Sequence, residues 1–528
     1  MSDISHLSSE NESNERTQAE SSNASEAGQQ TLSKPAENQK VKINENILKV
    51  RGEKYIKLTR PSNTQDPRFT VSDAKPSQSL SGPVSVDDLR ARIEPWLGAL
   101  LQAEHLSLLV GSGLSEAIRR EATRQEEVAK ESVQQSADDA ERDVDESLQA
   151  FGNQNNDEND DKKNENGNGM GDAVSNTSLA SKINPKIKES AKAGGRGDWP
   201  NLEDYLRVAN ELLRGLEILD EKEDADELKK EIEQKVQKFA DNILVIENQI
   251  ATADKVKRKE AFQKLTRFLV PFASRSGVRE RLNLFTTNYD RVLEAGADVA
   301  GLRLVDRFVG ALSPIFRSSR LDVDMHYNPP GIRGEPRYLE GVVRYAKLHG
   351  SIDWISANDE IRRIGLPFGA TSVEPYLQAP GLNADASKIM IYPNAAKDRE
   401  TAEYPYVELF RDFAAAICRP NSVLVTYGYS FGDEHINRVI RDMLTIPSTH
   451  LLAIAYDDNS GRIRKAFEDW GRQNQISLMI GPDLASLDAL VDHFLPRPAL
   501  DETLCRMTQN LERRYGKSSQ SGNKEGDQ

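Results

Sequence analysis

Apolar positions in this chain bunch into short runs that end at glycine, serine, threonine, asparagine or histidine. Leu106, Leu108, Leu109 and Val110 make the first run, before Gly111-Ser112-Gly113-Leu114-Ser115. Others lie at Leu282–Thr286, Val342–Leu348, Ser387–Tyr392, Ser422–Tyr427, His450–Ala455 and Ile476–Ile480. Unbroken runs of this length predict strands buried on both faces. Helical spacing predicts helices beginning near Arg291, around Tyr406–Ile417, up to Leu444 and near Arg462–Arg472. The alternation predicts an α/β chain, Rossmann-like, with a mostly parallel sheet and helices on both faces.

Upstream, Val86, Leu89 and Ile93 recur at helical spacing, and Pro95 is expected to break or restart that helix before Leu97, Leu100 and Leu101. Residues 1–80 open on Ser, Glu, Asn and Gln and read as a largely disordered tail. Within them, Ile47 to Val71 is mixed enough for a short strand or a partner-docking arm. Residues 116–196 carry one aromatic, Phe151, and an acidic run at Asp157-Glu158-Asn159-Asp160-Asp161, so they read as a flexible acidic insertion. Order resumes at Gly197–Leu206, and 202–219, 221–250 and about 255–272 predict a helical subdomain over 202–272. The middle of these is so charged that it reads as solvated. The core domain spans 86–500, followed over 501–528 by a helix near 501–514 and a polar tail.

Composition narrows the function classes. Of 528 residues, 37% are hydrophobic and 29% charged, with a net charge of −15 and a mean hydropathy of −0.63. A surplus of acid argues against a dominant nucleic-acid surface, which needs Lys and Arg against phosphate. Cys418 and Cys505 stand far apart, so one chain can build neither a disulfide framework nor a four-cysteine zinc site. With no apolar run long enough to span a bilayer and no signal-peptide core, a cytoplasmic protein without membrane contact is expected.

The candidate chemistry sits where strands end. A strand, a Gly-x-Gly turn and a helix start at 111–115 can hold an anion, because glycine admits close approach and the helix end presents amides. Such a turn also serves packing alone, and the third glycine of the dinucleotide fingerprint is replaced by Glu116. Thr286–Asp290, His349–Ser351 and Gly428–His435 end three further strands, and in a doubly wound sheet these ends line one crevice. Each residue has a structural alternative. Asp290 can cap its helix, Asn288 can hold a turn, His349 can be a structural histidine, and His435 can orient a neighbour. The histidines lack ligand spacing, so no metal is expected. Gly516-Lys517-Ser518 lacks the upstream glycine of a P-loop.

Taken in order, Gly-Ser-Gly-Leu-Ser (111–115), Thr-Thr-Asn-Tyr-Asp (286–290), Lys-Leu-His-Gly-Ser (347–351) and Gly-Tyr-Ser-Phe-Gly-Asp-Glu-His-Ile-Asn (428–437) resemble the sirtuin-like domains of bacterial anti-phage defence proteins. The likeness covers about 86–115 and 197–495. It implies that Gly111, Ser112 and Gly113 cradle the pyrophosphate of NAD, with Ser115 nearby. Asn288 would hold the nicotinamide ribose or a water, and Asp290 would help fix the nicotinamide side. His349 would be the catalytic histidine, and Gly428 and Ser430 would meet the adenosine end. Glu434, His435 and Asn437 belong to the same motif with no role carried over. Gly197–Leu206 looks like the counterpart of the sirtuin Gly-x-Pro segment, displaced by the insertion.

The four-cysteine module of sirtuin deacetylases is absent, which favours water over an acetyl oxygen as the acceptor. The expectation is an NAD⁺ glycohydrolase releasing ADP-ribose and nicotinamide, the toxic effector of an abortive-infection defence system. Homo-oligomers and, as partner, a hexameric DNA-translocating ATPase are implied by the resemblance, with no direct nucleic-acid binding. Two other readings share the pocket: a catalytically silent NAD or ADP-ribose sensor or scaffold, and NAD-dependent acyl or ADP-ribosyl transfer to protein.

Overall fold

The computed structural model describes residues 43–50, 52–61, 68–72, 83–133, 175, 177–193, 200, 202–275, 279–318, 324–327, 337–357, 360–378, 382, 389–391 and 404–497. Its strands are, in chain order, β1 (Ile43–Lys49), β2 (Ile56–Pro61), β3 (Thr70–Ser72), β4 (His105–Val110), β5 (Leu282–Thr286) and β6 (Arg303–Val305). Next come β7 (Phe308–Val309), β8 (Ile315–Phe316), β9 (His326–Tyr327), β10 (Arg337–Tyr338), β11 (Val342–Lys347) and β12 (Gly350–Ala357). The last are β13 (Glu360–Arg363), β14 (Ile389–Ile391), β15 (Ser422–Tyr427), β16 (His450–Ala455) and β17 (Ile476–Ile480). Ten of them form the main sheet, ordered β3-β2-β1-β17-β16-β15-β4-β5-β11-β6. From β17 to β6 all neighbours are parallel. The strands β1, β2 and β3 add on antiparallel at the β17 edge. The α/β class with a mostly parallel sheet is therefore the observed one.

Period-two alternation divides each central strand between two cores. Leu106, Leu108 and Val110 pack with Leu284, Val425 and Leu452 on one face. There they meet α1 (Val86–Leu101), α2 (Ser112–Val133) and, through Leu265, Phe268 and Phe272, the later helix α6 (Lys255–Ala273). Leu109 points the other way, joining Phe285, Leu424 and Leu451. That face is covered by α8 (Tyr406–Ile417), α9 (Glu434–Leu444) and α10 (Arg462–Asp469). A third core joins α3 (Ala180–Ala193), α4 (Leu202–Leu219) and α5 (Lys222–Thr252) to β12, through Ile187, Tyr205, Phe239, Ile352 and Ile355. The short helix α7 (Val292–Val299) follows β5.

The structure departs from the sequence expectations at four places. First, residues 43–61 and 68–72, within the expected tail, contain the three antiparallel strands. Leu48, Ile56, Leu58 and Phe69 are buried, and Lys49 donates from Nζ to the Ile476 carbonyl at 2.5 Å, so the candidate arm docks on its own sheet. Second, the expected insertion contains helix at both ends. Leu114, Ile118 and Ala122 carry α2 past Ser115 on a buried stripe, and the chain is helical again in α3. Residues 134–174, with the acidic run, lie outside the described residues.

Third, α1 continues through Pro95 because Ile93, Trp96, Leu97 and Leu101 bury the opposite face. Tertiary packing there outweighs the lost hydrogen bond. Fourth, the strand expected at Ser387–Tyr392 is β14, which belongs to a separate five-stranded sheet, β14-β12-β13-β8-β7. That sheet and the β10-β9 pair were not foreseen; β7, β8, β9 and β10 have two residues each and leave no readable period, and β12 begins directly after the His349 turn. The helix near 501–514 and Gly516-Lys517-Ser518 lie outside the described residues.

Candidate functional site

Register brings the four motifs to one edge. Lys347 pairs with Thr286, Thr286 with Val110, and Val110 with Tyr427, so β11, β5, β4 and β15 end side by side. The ladder runs one residue further: Leu348 N–H donates to Thr286 O at 2.8 Å, Thr287 N–H to Val110 O at 3.2 Å, and Gly111 N–H to Tyr427 O at 3.0 Å. The candidate residues follow directly on these positions.

The two glycine turns touch backbone to backbone. Gly113 N–H donates to Gly428 O at 3.3 Å, and Gly428 has a φ of +61°. A Cβ at Gly428 would stand 2.8 Å from the Gly113 Cα, and one at Gly111 would overlap the Gly428 carbonyl and lie 2.8 Å from the Tyr429 Cα. The amides of Gly111, Gly113 and Leu114 all donate to the chain's own carbonyls. The packing reading of these glycines thus has direct geometric support. Gly428→Ala is expected to cost about 1–3 kcal/mol from the overlap, with about 1–2 kcal/mol more for the left-handed backbone. A urea midpoint unchanged from wild type would contradict this.

Beside the turns lies a directed hydrogen-bond chain. Asn288 donates from Nδ2 to Gly111 O at 3.1 Å and to Ser115 Oγ at 3.0 Å. Gly111 O can only accept, so the amide nitrogen must face it, and the side-chain orientation is determined. Ser115 gives its one hydroxyl proton to the Asp290 carboxylate, 2.9 Å and 2.8 Å from its two oxygens. Its oxygen is thereby left to accept from Asn288. The Asn288 backbone N–H donates to Thr286 Oγ1 at 3.0 Å, and that hydroxyl donates to Val110 O at 2.9 Å. Asp290 also accepts from Val292 N at 3.1 Å, so it caps α7 while holding Ser115. Asn288, Ser115 and Asp290 are all buried. Asn288 Oδ1 is buried as well, and among the described residues it has no hydrogen-bond partner.

His349 follows β11 and is buried. Its Nε2 lies 2.9 Å from Nε2 of His435, so one ring must present N–H and the other a lone pair. The Tyr289 ring flanks His349 at 6.2 Å between centroids, and Phe410 meets the His435 ring edge-on at 4.9 Å. Tyr289 adjoins Asn288 in the chain, which places the histidine beside the Asn288 loop. The neighbour that His435 contacts is thus the candidate His349. Asn437 donates to Phe431 O at 2.9 Å and accepts from the Tyr429 hydroxyl at 3.2 Å, which holds the second glycine loop in shape. Burial pushes the Tyr429 phenol well above its ordinary range, so it stays a donor. Ser112 is half-buried, and Gly113, Ser430 and Glu434 are exposed at the rim.

Two supports escaped the sequence reading. Arg291 donates three hydrogen bonds to Glu247 of α5: N to Oε1 at 2.7 Å, Nε to Oε1 at 3.1 Å and Nη2 to Oε2 at 2.5 Å. It also reaches the carbonyls of Leu366 and Pro367. Burial raises the fully buried Glu247 carboxyl above its usual range, against the pull of the guanidinium. The signal was present, since Glu247 lies four residues after Ile243 and three before Ile250, on the apolar stripe of a helix read as solvated. Lys347, buried at the end of β11, donates to the Asp290 carbonyl and to Glu294 Oε1 at 3.0 Å.

Comparison with known families adds one finding. A family model described as a SIR2-like domain matches residues 282–475, which hold three of the four motifs. The turn at 111–115 precedes that span and joins it through the pairing of β4 with β5 and β15. Among curated proteins, none matches the chain significantly.

Proposed function

From the match of residues 282–475 to the SIR2-like domain model, a type that uses NAD, we propose that the protein is an NAD⁺ glycohydrolase. No helix among the described residues is long and apolar enough to cross a membrane. The observation that carries the reading is Asn288 Oδ1. A buried acceptor without a partner costs about 1–3 kcal/mol, and a ligand or water that completes it removes that cost. Its own amide nitrogen is tied to Gly111 and Ser115, so the acceptor is held ready rather than free to rotate.

In the proposed reaction, Asn288 accepts from a ribose hydroxyl or the attacking water, and Asp290 keeps Ser115 and therefore Asn288 in place. The bond between the ribose carbon and the pyridinium nitrogen breaks with both electrons going to nicotinamide, which leaves neutral and needs no acid. Water adds to the ribose carbon, and His349 takes the proton that water loses. An imidazole, with an ordinary pKa of about 6.5, suits that task near neutral pH. The rim residues Ser112, Gly113, Gly428 and Ser430 would meet the phosphates and adenosine, Gly111 supporting them from beneath.

Incubation of the purified chain with NAD⁺ tests the reading. Free nicotinamide and ADP-ribose in equal amounts are expected. Labelled protein would replace hydrolysis by transfer, and intact NAD⁺ with measurable binding would leave a sensor. The proposal extends to cofactor depletion on infection, as a homo-oligomer with an ATPase partner, which the motif order of the defence proteins supports. Cells carrying the wild type, but not His349→Ala, are then expected to lose NAD⁺ after phage challenge.

A further inference from the structure

Two imidazoles and a carboxylate converge at the start of α9, although the sequence spacing shows no ligand pattern. One donor atom each from His349, Asp433 and His435 lies within 4.8 Å of the other two. The histidines are buried and Asp433 is half-buried. Asp433 occupies the N-cap position of α9, yet its side chain makes no capping bond to the helix. One of its carboxylate oxygens lies within 4.8 Å of a ring nitrogen on each histidine.

Imidazole nitrogen with one carboxylate oxygen is a donor set that suits zinc, with three protein ligands and one position left for water. The two nitrogens already stand close to where the ion needs them. At Zn–N distances of about 2.0–2.1 Å, nitrogens 2.9 Å apart subtend about 90° at the metal. Opening them to about 3.3 Å gives the tetrahedral angle, a movement of a few tenths of an ångström. The ring packing of Phe410 and Tyr289 keeps both imidazoles facing each other.

We propose that His349, Asp433 and His435 form a zinc-binding site, and that zinc there switches the hydrolase off by occupying the nitrogen of His349. The binding rests on the geometry alone. The inhibition rests in addition on the proposed role of His349.

The test uses the full-length chain, stripped with a chelator and titrated with zinc chloride against a chromophoric competitor. One zinc per chain is expected, with binding weakened at least tenfold in His435→Gln and in Asp433→Asn. Cobalt(II) in the same site should give the visible d–d bands of a four-coordinate ion, lost in both variants. Zinc should suppress NAD⁺ hydrolysis over its binding range, and Asp433→Asn should need at least tenfold more zinc for half inhibition. Circular dichroism checks each variant's fold, and if His435→Gln fails to fold, Asp433→Asn at its half-buried position decides. Equal zinc affinity in wild type and Asp433→Asn, or no binding at all, overturns the site. Site-specific binding that leaves hydrolysis untouched overturns the switch. Binding in a chain that never hydrolyses NAD⁺ supports the site and counts against the hydrolase.

Discussion

Asn288→Ala is expected to lower NAD⁺ hydrolysis by about 10²–10³-fold, the effect of removing one preorganised polar group from a reacting centre. His349→Ala should cost about 10²–10⁴-fold, the range for a general base. Neither should unfold the chain, since each removes one or two hydrogen bonds worth about 1 kcal/mol apiece. The Asn288→Asp variant separates the two sides of the amide. It keeps an acceptor but loses the donor that faces Gly111 O, and it sets a second carboxylate beside Asp290 and Ser115. Its activity should fall at least as far as that of the alanine variant, through misplacement of the loop. Product formation followed by chromatography, with urea midpoints alongside, gives both readouts. Wild-type rates in purified Asn288→Ala or His349→Ala would remove the site assignment.

Glu247→Ala should destabilise the fold by about 3–5 kcal/mol, because it strands a buried guanidinium. Arg291 is 7% exposed and Glu247 is 0% exposed, so water cannot replace the lost carboxylate. The double variant Glu247→Leu, Arg291→Leu should recover part of that loss, since it removes both charges together. Recovery will be incomplete, because Arg291 also serves the carbonyls of Leu366 and Pro367. The effect should reach the site as well. Arg291 follows Asp290 directly, and its backbone N–H is held by Glu247, so the hydrolysis rate of Glu247→Ala should fall even below its melting range. A midpoint shift worth less than about 1 kcal/mol would show that the pair does not brace the loop.

Much of this protein was legible from local pattern. Runs such as Leu106–Val110 and Ser422–Tyr427 are apolar on both faces, and only a sheet covered on both sides accommodates that. The glycine, asparagine and histidine that end those runs marked one edge before any register was known, because parallel strands bring their carboxyl ends together. The stretch from Ile47 to Val71 offered a short strand or a docking arm, and what its local pattern could not give was the partner, since β1 is fixed by pairing with β17. Glu247 escaped because a carboxylate on an apolar stripe makes sense only with Arg291, 44 residues later, beside it. The meeting of His349 with Asp433 and His435 depends on which strands are neighbours and how far each loop reaches, and no spacing in the chain encodes that distance. Alternation and turn chemistry are local, and therefore readable; the pairing of charges and donors across strand ends is created by packing, and only the folded chain decides it.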